Sequence, residues 1–240
     1  KKKNEKGETF FEKFLINKEQ ASAILRGQSE NLIITGGPGT GKTTVVLYIL
    51  WNLLQNHPEM LNWNIYLAAP SGKAADRMGE SLRDGLSHLT EEVKSHESGK
   101  VIFKALNDLG STTIHRLLKF SHSEGGFRYN KNTPFPKDSI FVIDEASMID
   151  IELFAALLQA IPEGARLFIL GDPFQLPSVD SGAVLGEILK PHNASKNFFV
   201  KLIKSNRFQD DSKIKKLADE IKIVAETKDA SVYTPHKFEK

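Results

Sequence analysis

The chain has 240 residues, of which 40% are hydrophobic and 26% charged, and its formal net charge is +2. This composition is typical of a globular protein with a buried core, and the length suits one α/β domain or two small ones. The absence of cysteine excludes a disulfide scaffold and thiol catalysis, and it fits the cytoplasmic location that we expect. No apolar run approaches the roughly 20 residues of a membrane-spanning helix, so we expect no membrane association.

The first segment of the chain, residues 1–14, is basic at its start and lacks the apolar stretch of a secretory signal. We expect it to be a flexible terminus. A single α/β domain is expected over residues 15–210. A C-terminal helix and linker would follow over residues 211–240, with apolar residues at helical spacing from Asp211 onwards.

Four apolar runs each end at a polar or glycine-rich turn, and we predict a strand for each. They cover residues 32–35, 65–69, 140–143 and 167–170. Continuous apolar runs are typical of parallel strands covered on both faces, and helical spacing between them predicts a doubly wound, mainly parallel α/β sheet with helices on both faces. Asp150 is expected to cap one of these helices. Residues 84–111 and 121–137 are less regular, and the second segment is expected to be a surface excursion.

A complete P-loop pattern, GGPGTGKT, occupies residues 36–43 between the first strand and a helix, and predicts a P-loop NTPase. Lys42 can bridge the β- and γ-phosphates, and the Thr43 hydroxyl can bind Mg²⁺. The alternative is a glycine-rich turn without a ligand. The residues expected to hold the nucleotide here are Gly37, Pro38, Gly39, Thr40, Gly41, Lys42, Thr43 and Thr44.

Two adjacent carboxylates, Asp144 and Glu145, follow the third predicted strand. Asp144 is expected to bind Mg²⁺ together with Thr43, and Glu145 to orient and deprotonate the attacking water. Taken alone, the pair would favour a helix-start cap, and its association with the P-loop favours the functional interpretation. GTPases recognise guanine with the pattern Asn-Lys-x-Asp, and the nearest match here, residues 17–20, lacks the aspartate. The absence of a full match favours adenine or loose base selection.

Together with the P-loop, five further sequence motifs make the chain similar to superfamily 1 helicases. In chain order the six correspond to helicase motifs I, Ia, Ib, II, III and IV. The residues within these motifs resemble those of the RecD-like family, which includes the alpha chain of exodeoxyribonuclease V. The resemblance covers about residues 15–225, and the five further motifs are LAAPSGKAADRM (67–78), STTIHRLL (111–118), FVIDEASMID (141–150), LGDPFQLPSVDSGAVLGEI (170–188) and LIKSNRFQ (202–209).

The resemblance implies a RecA-like fold and an ATP- and Mg²⁺-dependent motor that moves 5′→3′ along single-stranded DNA and unwinds duplex. It also allows RecB- and RecC-like partner subunits. Gln20 resembles the glutamine that reads adenine, Gln175 the motif III glutamine that senses the γ-phosphate, and Arg207 the motif IV arginine that reaches it.

Each of these three residues has a local alternative. Gln20 could be a surface residue of an N-terminal helix, and Gln175 could brace the turn at Asp172. Arg207 could pair with a nearby acid such as Asp210.

Two turns are expected to face single-stranded DNA. The hydroxyls of Ser71 and Thr113 can bond phosphate oxygens without reading sequence, while Lys73 adds screened attraction. Thr112 or Thr113 could instead cap the helix that contains Leu117 and Leu118; the cap is expected for Thr112 and DNA contact for Thr113. The DNA-facing candidates are Pro70, Ser71, Lys73, Thr113 and His115.

The family has a second RecA-like domain and motifs V and VI, which are not found in these 240 residues. We therefore expect one motor domain of a longer protein, able to bind nucleotide but with little unwinding activity alone. Two other classes stay open: a P-loop module that grips DNA or a partner with ATP as a switch, and a small-molecule kinase.

Overall fold

The computed structural model describes residues 16–89, 97–121, 125–175, 184–189 and 198–204. Its strands, in chain order, are β1 (Leu32–Gly36), β2 (Asn64–Ala69), β3 (Ser111–Thr113), β4 (Phe120–Ser121), β5 (Gly126–Phe127), β6 (Ser139–Ile143), β7 (Arg166–Gly171) and β8 (Phe199–Leu202). Six of them form one sheet in the order β3-β2-β6-β7-β1-β8, and every neighbouring pair is parallel. β4 and β5 pair separately as an antiparallel hairpin.

Helices cover both faces of this sheet. They are α1 (Lys18–Arg26), α2 (Lys42–Asn56), α3 (Gly72–Ser87), α4 (Glu97–Asn107), α5 (Ile114–Leu117), α6 (Ile151–Ala160) and α7 (Val184–Ile188), with 3-10 turns at Pro58–Asn62 and Ala146–Met148. Buried side chains of α1 to α4 form one apolar cluster with the sheet, and those of α5 to α7 form a second. The predicted P-loop NTPase fold, with a doubly wound parallel sheet, is confirmed.

The four predicted strands are all present, and they occupy the interior of the sheet. β1 and β6 are buried along their whole lengths, as apolar runs covered on both faces require. The Asp150 cap is also present, since its side chain accepts a hydrogen bond of 2.7 Å from the Leu153 amide at the start of α6.

Two strands of the six-stranded sheet were missed, and both lie at its edges. β3 is a three-residue Ser-Thr-Thr segment without any apolar run. In β8 the burial alternates, with Lys201 exposed between buried Val200 and Leu202. An edge strand needs only one buried side, so neither gives the continuous apolar signal used to find the others.

The two segments described as irregular are more ordered than expected. α3 continues to Ser87 and α4 forms over Glu97–Asn107, each with one buried apolar face. In the excursion, the β4–β5 hairpin precedes Phe135, which is only 3% exposed and stacks on Tyr129 with ring centroids 4.0 Å apart. The excursion is therefore anchored to the core by Phe135.

Some expectations lie outside the described residues: the flexible terminus 1–14, Arg207 with Asp210, and the helix from Asp211 within 211–240. Within the described ranges, no helix combines the length and apolarity that a membrane crossing requires.

Candidate nucleotide-binding site

The carboxyl ends of β1, β2, β6 and β7 meet at one edge of the sheet, as expected for parallel strands. A cleft of about 810 Å³ opens there. Its walls come from four turns that are far apart in the chain, and they include P-loop residues 38–44, Ser71, Lys73, Asp144, Glu145 and Gln175. The four turns therefore converge on one cleft.

The P-loop backbone depends on glycine at two positions. Gly39 and Gly41 have φ angles of 77° and 81°, a region that L side chains rarely adopt. The turn lets α2 begin at Lys42, so that its N-terminal amides face the cleft. Lys42 Nζ donates to the Gly36 carbonyl at 2.7 Å and lies 3.5 Å from that of Gly37. These neutral acceptors hold the ammonium beside the loop, where charged phosphate oxygens would bind it more strongly.

Gln20 contacts the P-loop itself. The side chain is only 5% exposed, so the alternative of a surface residue was wrong. Its Nε2 donates to the Thr40 carbonyl at 2.9 Å, and its Oε1 accepts from the Asn17 amide at 3.1 Å. Both ends of the amide are therefore bonded, one to the start of α1 and one to the loop. The bond to Thr40 was missed; the pattern Asn17-x-x-Gln20 in the sequence indicates only the capping box at the start of α1.

The two carboxylates occupy different settings. Burial raises the pKa of Asp144 from 3.8 to about 6; the Glu145 amide and Lys42 act against this shift, and the Glu145 charge adds to it. Asp144 Oδ1 accepts from the Glu145 amide at 2.8 Å.

Glu145 has the features of a functional residue. Its φ is 51°, a left-handed conformation that costs about 1–3 kcal/mol in a residue other than glycine. Its Oε2 is buried without a hydrogen-bond partner among the described residues, and its side chain does not cap the 3-10 turn that follows. Strain and an unpaired oxygen in a cleft favour a role in chemistry over the helix-cap alternative.

The cleft also fits a magnesium ion. Thr43 and Asp144 both line it and offer oxygen ligands, which Mg²⁺ prefers. Across the described ranges, no group of three or more His, Asp or Glu side chains is placed to hold a metal. An ion held by these two residues would need further ligands from phosphates and water, as is usual for nucleotide-bound Mg²⁺.

The turn after β7 touches the P-loop and carries Gln175 into the cleft. Asp172 is 4% exposed; its Oδ1 accepts from the Phe174 amide at 3.1 Å and its carbonyl accepts from the Gln175 amide at 3.1 Å. A Cβ atom added to Gly37 would lie 3.9 Å from Asp172 Oδ2. The Gln175 backbone therefore braces the turn, while its side chain lines the cleft.

The two candidate DNA turns lie side by side, because Ala69 of β2 pairs with Thr113 of β3. Ser71 Oγ accepts from the Ala74 amide at 3.3 Å and caps α3. Thr113 Oγ1 accepts from the Arg116 amide at 3.3 Å and caps α5. The expectation that Thr112 is the cap was wrong. Thr112 pairs with Ala68 in the sheet, and the cap is the next residue, Thr113.

The other DNA candidates lie around these turns. Pro70 follows the end of β2, and Lys73 is exposed in the first turn of α3. The exposed His115 has its ring 6.2 Å from that of Phe120 and 5.9 Å from that of Phe127, next to the β4–β5 hairpin.

One wall of the cleft was not anticipated from the sequence. It is formed by α2 and α3 and includes Leu47, Tyr48, Arg77, Ser81, Asp84, Gly85 and His88. Together with Lys73, the α3 positions recur at three- and four-residue intervals, which place them along one side of the helix. This spacing was present in the sequence but was not connected to the P-loop.

A family model described as an AAA domain matches residues 20–181. The chain is similar to the RecBCD enzyme subunit RecD of Haemophilus influenzae, with 43% identity over 65% of this chain and 23% of that protein. It is 35% identical to the ATP-dependent RecD2 DNA helicase of Deinococcus radiodurans, over 71% of this chain and 19% of that protein. A Bacteroides Pif1 crystal structure with single-stranded DNA aligns with a TM-score of 0.48 and 20% identity, covering 90% of this chain and 47% of that one.

The chain spans about a quarter of the length of the first curated relatives that it matches, 23% and 26%. The match to the AAA domain covers most of the chain, and the site has the loop, the carboxylates and the glutamine expected from the motifs. The chain therefore belongs to the AAA domain family, as a RecD-like motor domain of superfamily 1.

Proposed function

We propose that this chain binds and hydrolyses ATP as the motor domain of a RecD-like DNA helicase, which couples hydrolysis to 5′→3′ translocation on single-stranded DNA and to duplex unwinding in recombination and repair. The observation that carries the proposal is the shared cleft: Lys42, Glu145 and Ser71 line it together. The residues proposed to bind phosphate, to orient water and to face DNA thus line one cleft, which supports the proposal.

Each residue has a role in this proposal. The backbone N–H groups of residues 37 and 39–44 and the Lys42 ammonium would bind the phosphates, and Thr43 and Asp144 would hold Mg²⁺, which would neutralise phosphate charge. Glu145 orients and deprotonates water, and Gln175 contacts the γ-phosphate. Arg207, outside the described residues, is proposed as an arginine finger, a contact that contributes about 10³–10⁵ in rate.

The DNA contacts and partners are proposed on the same basis. Phosphates of single-stranded DNA would bind at Ser71, Lys73 and Thr113, with Pro70 shaping the first turn and His115 stacking on a base. RecB- and RecC-like subunits are proposed partners, because related chains are named as RecBCD subunits. DNA processing of this kind would take place in the cytoplasm.

The domain organisation is proposed as it was expected. Residues 15–210 would form the ATPase domain, 1–14 a flexible terminus, and 211–240 a helix and linker towards a second motor domain. Adenine contact by Gln20 is kept as the alternative to its bracing of the loop.

The test is ATP hydrolysis by the purified protein with and without single-stranded DNA, using Glu145→Gln and Lys42→Ala. We expect DNA to stimulate hydrolysis. Glu145→Gln should keep ATP affinity and lose about 10²–10⁴ in turnover, the usual contribution of a general base. Lys42→Ala should abolish tight Mg–ATP binding.

Other outcomes separate the competing functions. Binding of ATP and DNA without turnover would indicate a switched binding module. Hydrolysis that single-stranded DNA does not stimulate would favour another P-loop enzyme, such as a small-molecule kinase. Unchanged hydrolysis in Glu145→Gln would remove Glu145 from the mechanism.

A further inference from the structure

We propose that Arg77 of α3 contacts the γ-phosphate and makes the cleft prefer ATP to ADP. This inference rests on the proposed function, because it requires the cleft to bind a nucleotide. Arg77 lines the same cleft as Lys42, Thr43 and Glu145, but it comes from α3 and not from the P-loop.

The packing of α3 holds Arg77 in this wall. Gly85 lets α3 approach α2 closely, because a Cβ atom there would lie 2.7 Å from Leu47 Cδ2. Met78 and Leu82 are each 2% exposed and belong to the apolar cluster beneath. Position 77 is therefore fixed by buried neighbours, while its own side chain is exposed and turned towards the cleft.

The charges in the cleft favour an added cation. Asp144 and Glu145 put two carboxyl groups beside the phosphate site, and the Lys42 ammonium already donates to the Gly36 carbonyl. Within the described ranges, the Arg77 guanidinium has no hydrogen-bond or ion-pair partner. A γ-phosphate brings the negative charge that such a group can bind, and a guanidinium can bind phosphate oxygens bidentately.

Arg77 would also connect the two candidate sites through one rigid element. Ser71 caps α3 at the DNA turn, and Arg77 lies six residues further on, which is about 9 Å along a helix. A shift of α3 on DNA binding would therefore move Arg77 relative to the phosphates. Differential contact of this kind is what a coupling between two binding sites requires.

The experiment measures the dissociation constants of a non-hydrolysable ATP analogue and of ADP, each with Mg²⁺, for the full chain and for Arg77→Ala. We expect the variant to bind the ATP analogue about 10- to 100-fold more weakly, the effect of losing a charge-assisted contact. Affinity for ADP should stay within about twofold, because ADP lacks the γ-phosphate. Since Arg77 is exposed, its replacement removes no core packing, and equal melting temperatures would verify the fold.

Arg83→Ala is the matched control, because Arg83 is exposed on the same helix but does not line the cleft. It should leave both affinities unchanged. An unchanged ratio of ATP to ADP affinity in Arg77→Ala, or an equal ratio change in Arg83→Ala, would overturn the inference. If the unaltered chain binds no Mg–ATP, or if Lys42→Ala binds it equally well, the proposed function fails instead.

Discussion

Asp144 is held in surroundings that oppose its negative charge. Its pKa lies at about 6 in the folded protein, against an ordinary value of 3.8, because burial disfavours the charged form. The folded state therefore binds the proton more tightly than the unfolded state does. The resulting stabilisation is fully present below about pH 4 and is lost as the pH rises through 6.

Asp144→Asn should therefore stabilise the metal-free protein at pH 7. The amide carries no charge and can still accept the hydrogen bond from the Glu145 amide. The shift corresponds to at most about 3 kcal/mol, at roughly 1.4 kcal/mol per pKa unit. Urea unfolding in EDTA at pH 4 and pH 7 would measure this, with a gain expected only at the higher pH.

The exposed Asp138 provides the control, since Asp138→Asn removes a carboxylate away from the cleft. Its effect should be small at both pH values. If Asp144→Asn and Asp138→Asn shift stability alike, or if the gain does not depend on pH, the account of a buried charge at Asp144 is wrong.

Gln20→Ala tests whether the Gln20 side chain stabilises the P-loop or recognises the adenine base. The substitution removes the bonds to the Thr40 carbonyl and the Asn17 amide, and each is worth about 0.5–1.5 kcal/mol. We expect a lower unfolding free energy and weaker binding of ATP and GTP by similar factors. Equilibrium binding of both nucleotides would show it, and a loss confined to ATP would indicate that Gln20 reads the base instead.

The elements at the sheet edge show why some strands could be found from the sequence and others could not. Strands that are buried on both faces, such as β1 and β6, have continuous apolar sequences. β3 and β8 are defined by pairing with β2 and β1, a relation between distant residues that no local pattern contains. The cleft was predictable from the four turns, whereas the α3 wall depended on helix packing through Gly85.

The first glycine of the P-loop illustrates the same dependence between elements. A Cβ atom on Gly36 would lie 2.8 Å from the Leu202 carbonyl of β8 and 2.6 Å from Thr40 Oγ1. A backbone atom of a neighbouring strand cannot easily move away. The need for glycine here thus comes from β8, which pairs beside β1, as well as from the phosphates.

Gly36→Ala is therefore expected to destabilise the protein by about 1–3 kcal/mol, the usual cost of overpacking. It should also weaken nucleotide binding, because the strain falls on the start of the loop. Gly110→Ala is the matched control, since a Cβ atom there meets nothing within 4 Å. Thermal unfolding of both variants would test this, and equal melting temperatures would contradict it.

At the scale of the whole molecule, the sheet places two candidate sites along one edge. The DNA turns follow the neighbouring strands β2 and β3, and the nucleotide turns follow β1, β6 and β7. β6 pairs directly with β2, so the carboxylates at its end lie one strand away from Ser71. The proposed hydrolysis site and the proposed DNA turn would therefore be separated by a single strand spacing.

Ser71→Asp and Thr113→Asp should separate folding from DNA binding. Aspartate caps a helix as well as serine or threonine does, so α3 and α5 should keep their starts and the melting temperature should change little. A carboxylate repels the phosphate backbone, and affinity for single-stranded DNA should fall by about tenfold or more. Fluorescence anisotropy at fixed salt would measure it, and Ser71→Asn is the uncharged control. Unchanged DNA affinity would remove these turns from the DNA path.

The hydroxyls of Ser71 and Thr113 can each make a second hydrogen bond in addition to the helix cap. A hydroxyl has lone pairs to accept with and one proton to donate. At Ser71 and Thr113 a lone pair is already used by the helix amide at 3.3 Å, and the proton stays available for another acceptor. The same atom can therefore start a helix and bind an anion at once. A phosphate bound at either hydroxyl would therefore add a hydrogen bond without removing a helix cap.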